Sequence, residues 1–196
     1  MHFGSDDLEA LHDRLVAAGV PRGDIRPYQR NVDTETGQQL MRALAFGFPP
    51  EANPEALIQM CQHLTPELVF QNRYQQHDNG AVGVVEITVC SDDPASFAGS
   101  YARYTGHDHT KDDYVYTVDL GKSRVRVVAP ETLPALIPGA LPPAMPSLVG
   151  FTVTVTDLDA TRALLTNRAV PLRNLGDIVL VDAPHAAGAT VSFIAA

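Results

Sequence analysis

The sequence predicts an α+β fold assembled from a repeated β-α-β-β-β unit, its strands forming curved mixed sheets with the helices outside. Two observations carry that prediction. An apolar strand, an acidic cap and an amphipathic helix follow one another three times: at His2 to Leu11, at Val84 to Pro94 and at Gly150 to Thr161. Strands and helices alternate, yet Gly121-Lys122 between two alternating runs is a hairpin signal, so the sheets must be mixed rather than purely parallel.

In the first unit, Ser5 or Asp6 is placed to cap a helix, because a side-chain oxygen there can accept from the free amides of the first turn. Leu8, Leu11, Leu15 and Val16 form its buried stripe, and Gly19 with Pro21 ends it. A short strand follows within Asp24 to Arg30, then a polar turn at Asp33 to Gly37 and a strand over Gln39 to Phe48. Pro49 to Pro54 breaks the chain, and Ala56 to Cys61 is the last strand, leading into Gln62-His63-Leu64-Thr65-Pro66-Glu67.

The second unit opens with a β-rich run from Ala81 to Cys90 and a capped helix buried through Phe97, Tyr101 and Tyr104, which Gly106 closes. The tract His107 to Asp113 reads as a solvated loop, and strands Tyr114 to Leu120 and Ser123 to Val128 flank the hairpin. Pro130, Pro134, Pro138, Pro142, Pro143 and Pro146 make the next stretch a connector, since proline removes an amide donor and fixes φ. A third unit then repeats the plan: strand 148–156, helix 158–168, and strands near 177–182 and at Ala189 to Ile194. The expected organisation is a first module at 1–78, a second at 79–130, a connector at 131–147 and a third module at 148–196.

With 196 residues and a formal charge of −9, the chain has room for a real core and lacks the clustered Lys and Arg that nucleic acid demands. No apolar run is long enough to span a bilayer, so no membrane partner is expected. A start without a basic-then-apolar leader and two cysteines without metal or disulfide spacing, Cys61 and Cys90, make a cytoplasmic protein the default.

Consecutive βαβββ modules with an Asp157-Leu158-Asp159 helix entry resemble the vicinal oxygen chelate superfamily, which includes glyoxalase I, extradiol dioxygenases and bleomycin-resistance proteins. The phrases Gln62-His63-Leu64-Thr65-Pro66-Glu67 and His77-Asp78-Asn79-Gly80-Ala81 resemble its glyoxalase-like domain proteins more specifically. The resemblance implies paired modules whose sheets curl into a cup. It also implies, in active members, a divalent metal held by a His on a first strand and a Glu on a last strand. That His lies about seven residues before the helix-opening Asp. In this chain the position falls on Gly150 in the third module, on Val85 or Glu86 in the second, and before Met1 in the first. The last strands offer Ser192 in the third module and Gln59 and Gln62 in the first. The usual ligand set is missing, and by this resemblance the first module reads as N-terminally incomplete, without the further module that relatives carry ahead of it.

The polar candidates are few. A Thr-Pro turn would bring His63 towards Glu67, and with His77 these form a His/carboxylate group suited to acid–base work; the plainer role is a strand-end His and a helix-turn Glu. Arg30 and Arg42, on middle strands, would bind a carboxylate if they point into a cup, or simply face solvent. Asn79 is a second binding candidate, although Asn-Gly is a turn signal in its own right. Glu86 interrupts an apolar run, and a carboxylate there must be paired or face a cavity. The sequence therefore points first to a glyoxalase-like small-molecule binding protein, degenerate or without metal. The alternatives are a metal-dependent lyase, isomerase or dioxygenase using Zn, Ni, Fe or Mn on His63, His77 or Glu86, and a non-catalytic interaction module. An unpaired module exposes a sheet edge, so a homodimer is expected.

Overall fold

The computed structural model describes every residue, Met1–Ala196, and divides into two compact units, Met1–Gln75 and Gln76–Ala196. The class is α+β, with mixed parallel and antiparallel sheets and interspersed helices. None of its helices is long and apolar enough to cross a membrane.

The first unit runs β1 (His2–Gly4), α1 (Leu8–Ala17), β2 (Arg26–Thr34), β3 (Gly37–Gly47), β4 (Gln59–His63) and two short helices, α2 (Pro66–Val69) and α3 (Asn72–Gln75). Its four strands lie in the order β1-β4-β3-β2, with β1 parallel to β4 and the rest antiparallel. Helix α1 packs Leu8 and Leu15, both fully buried, towards a core that includes Phe3, Phe46, Ile58 and Met60. The cap is Asp7, whose Oδ1 accepts the Ala10 amide at 2.9 Å, rather than Ser5 or Asp6. Ser5 instead accepts the Asp7 amide, one step earlier in the entry turn. Val16, expected in the buried stripe, is 49% exposed, because it lies about 100° around the helix from Leu15. The last strand begins three residues later than expected, at Gln59, and ends two later, at His63.

The second unit runs β5 (Ala81–Cys90), α4 (Pro94–Thr105), β6 (His109–Asp112), β7 (Val115–Asp119), β8 (Arg124–Val128), α5 (Leu133–Leu136), β9 (Ser147–Val155), α6 (Leu158–Asn167), β10 (Arg173–Asn174), β11 (Val179–Val181) and β12 (Thr190–Ala195). One eight-stranded sheet holds them in the order β10-β11-β12-β9-β5-β8-β7-β6. Its two halves repeat the β1-β4-β3-β2 order of the first unit and meet where β5 runs antiparallel to β9. Asp93 and Asp157 cap α4 and α6 as Asp7 caps α1, accepting the amides three residues on at 3.1 and 2.9 Å. The tract expected as a solvated loop contains β6, an exposed edge strand folded back on β7 through Asp113, whose φ is 50°.

The proline-rich connector does more than join two modules. Its prolines admit the four-residue helix α5, and its apolar residues Leu133, Ile137 and Ala140 are buried against Cys90, Val128, Val149 and Leu180. Arg173 fixes it in place: the guanidinium donates to the Pro138 carbonyl while gripping Asp182 through two bonds at 2.6 and 3.1 Å.

Candidate functional site

Side chains alternate across a strand, so register decides which residues share the open face of the first unit's sheet. Across it, Arg30 pairs with Met41, Tyr28 with Ala43 and then His63, Arg26 with Ala45 and then Cys61, and Gly47 with Gln59 and then His2. These rows line one cavity of about 1080 Å³, to which Arg22, Phe48 and Pro49 also contribute. Ala43, Ala45 and Gly47 make a shallow floor along β3, which is what gives the cavity its depth. Polar and basic groups stand around that floor, and Asp24 is the sole carboxylate among the lining residues.

Several of these groups have unmet hydrogen-bonding capacity. The His63 ring meets Phe70 edge-on at 5.4 Å between centroids, and its Nδ1 is buried without a partner. Arg22 donates one bond to the Val20 carbonyl at 2.9 Å, while its Nε is also buried without a partner. A buried donor or acceptor left unmade costs about 1–3 kcal/mol, so two such groups among the residues lining one cavity favour whatever would satisfy them. Burial, followed by the nearby N-terminal ammonium and His63, pushes the His2 imidazole below its ordinary value of 6.5. Burial pushes the Cys61 thiol up, so it stays protonated at neutral pH.

The residues singled out from sequence fall in different places. His63 and Arg30 line the cup. Arg42 follows Met41 and so lies on the opposite face, level with Gln29. Glu67 is exposed in the first turn of α2, in a separate small hollow with Thr34, Gln39 and Arg73, and forms no ion pair with His63. The Thr-Pro turn parts them, because Thr65 is tied down by accepting the Arg42 amide at 2.9 Å. His77 belongs to the second unit, where it is exposed and its carbonyl accepts the Gly80 amide at 2.8 Å. Asn79 completes that turn, accepting the Ala81 amide through its side chain and the Thr161 hydroxyl through its carbonyl. Sequence reasoning missed His2, Arg22, Arg26 and Tyr28. The available signal was the alternation Arg26-x-Tyr28-x-Arg30 facing the small residues Ala43-x-Ala45-x-Gly47.

In the second unit, Glu86 is 6% exposed and faces two guanidinium groups: Nε of Arg124 donates to it at 2.6 Å, and Nε of Arg126 lies 3.1 Å away as an ion pair without a hydrogen bond. Since the caps are Asp93 and Asp157, the positions implied for a metal-binding His are Glu86 and Gly150. Neither fits that role. The Glu86 carboxylate is already neutralised by arginines, and a Cβ at Gly150 would lie 2.8 Å from the Thr190 carbonyl and 3.2 Å from the Ile137 methyl. In the first unit, Gln62 faces away from the cup, accepting the Leu8 amide and donating to the Asp6 carbonyl. No three His, Cys, Asp or Glu side chains come together as a donor set anywhere in the chain. The residues present do not fit the metal centre that the family resemblance implies.

No family model matches the sequence, and no curated protein matches it significantly. Solved structures do match the fold. A hypothetical protein from Staphylococcus aureus aligns over 100% of this chain and 65% of its own, with a TM-score of 0.64 and 8% identity. The Mn(II)-bound glyoxalase from Novosphingobium aromaticivorans aligns over 99% of this chain and 61% of its own, with a TM-score of 0.58 and 12% identity. The chain thus spans less than two thirds of the length of either. With its repeated β1-β4-β3-β2 strand order, Asp-capped helices and these structural neighbours, the chain shares the fold of the Mn(II)-bound glyoxalase.

Proposed function

We propose that the chain is a glyoxalase-like small-molecule binding protein that uses the cup of its first unit and holds its ligand without a metal ion. One contrast carries this reading. The first unit leaves a cavity of about 1080 Å³ over an apolar floor, near the upper end of ordinary ligand sites at roughly 300–1,000 Å³, whereas the paired modules of the second unit bury connector side chains instead. A thermal-shift screen against small dicarbonyls, catechols and carboxylates tests it, since a ligand that binds only the folded state raises the midpoint by mass action. At least one class should raise it in a concentration-dependent way, and no shift from any class would sink the reading. Metal content separates it from a metal-dependent lyase, isomerase or dioxygenase. Protein purified without chelator is expected to carry substoichiometric metal, and a full equivalent lost on His63→Ala would favour the enzyme instead.

A second reading rests on the edge of β1, which pairs with β4 alone, whereas β5 and β9 join module to module. In this reading a second copy of the chain adds its own first unit along that edge, giving a homodimer. Sedimentation equilibrium should then return twice the 21.1 kDa chain mass, and a monomer at every concentration would remove it.

A further inference from the structure

Resting on the small-molecule reading of the same cup, we propose that its ligand is an organic anion: a carboxylate or phosphate on a flat apolar body. Charge is the first reason. The chain carries −9 overall, yet its cup gathers Arg22, Arg26 and Arg30 against one carboxylate, Asp24. None of the three arginines takes part in a salt bridge, whereas Arg124, Arg126, Arg162, Arg168 and Arg173 all do. Three guanidinium groups line one cavity without enough carboxylate to neutralise them, so an entering anion finds charge-assisted hydrogen-bond donors there.

Shape is the second reason. Arg26 and Arg30 stand two alternate positions apart on β2, about 13 Å along the strand, with Tyr28 between them on the same face. The ring of Tyr28 and the floor of Ala43 and Ala45 offer a flat apolar body its surface, while a guanidinium beside it takes the charged end in a two-pronged bond. The unsatisfied Nε of Arg22 and Nδ1 of His63 supply further polar contacts within the same walls.

Calorimetric titration of the full chain with 2-naphthoate, 2-naphthyl phosphate and uncharged 2-naphthamide tests this. At least one anion should bind tenfold or more tighter than the amide, and the preference should shrink as salt is added. Whichever anion shows it identifies the head group. Arg26→Ala and Arg30→Ala lie on a strand exposed along nearly its whole length, so they should fold normally. At least one of them should lower anion affinity about tenfold and shrink the preference over the amide. If the amide binds within twofold of both anions, or both variants keep the full preference, the anion assignment is wrong although the cup still binds small molecules. If none of the three binds, the anion assignment falls, and the thermal-shift screen decides separately whether the cup binds a small molecule at all.

Discussion

At the level of single residues, absence of a side chain matters as much as presence. Gly150 occupies a position where the resemblance implies a metal-binding His, and the Thr190 carbonyl at 2.8 Å from a would-be Cβ shows why none is there. Gly150→Ala should destabilise the second unit by about 1–3 kcal/mol through overpacking, read as a lowered denaturant midpoint. His2 gives a pH signature. Its imidazole titrates below the ordinary 6.5, so the folded chain binds fewer protons than the unfolded one just below that value. Stability contributed by neutral His2 is therefore present above pH 6.5 and is lost on acidification through it. An NMR titration should place the His2 midpoint below 6.5, and a midpoint at or above it would contradict the lowering by partial desolvation, the N-terminal ammonium and His63.

At the level of elements, the connector decides what the second unit can do. Leu133, Ile137 and Ala140 fill space over β8, β9 and β11, and Leu133→Ala should cost about 2–5 kcal/mol as a fully buried truncation. A cost under about 0.5 kcal/mol in chemical denaturation would mean that the connector lies loosely on the surface. Much of the element plan was legible in the sequence. The aspartates ahead of α4 and α6, Gly106 at the end of α4 and the Gly121-Lys122 hairpin each have a local physical cause that a sequence displays, whereas the α1 cap lies one residue beyond the expected Ser5 or Asp6. The connector's burial was hidden, because six closely spaced prolines signal irregular backbone and say nothing about where the leucines between them pack. β2 was only partly visible for a related reason: as an exposed edge it lacks an apolar face, and its length is set by pairing with β3. His63 was legible as a strand-end residue of functional interest, but its neighbours in the cup come from other strands through register, which no local pattern reveals.

At the level of the whole molecule, one modular plan is used in two ways. The second unit joins two modules through β5 and β9, ties Glu86 to two arginines and packs its connector into the core. The first unit keeps a cavity of about 1080 Å³ with unpaired arginines on its rim. The proposal places ligand binding in the first unit, and hydrogen–deuterium exchange with and without saturating 2-naphthoate tests it most directly. Slowed exchange in β2, β3 and β4, with β5, β8, β9 and β12 unchanged, is the predicted result. Protection confined to β5, β8 and β9 would contradict it.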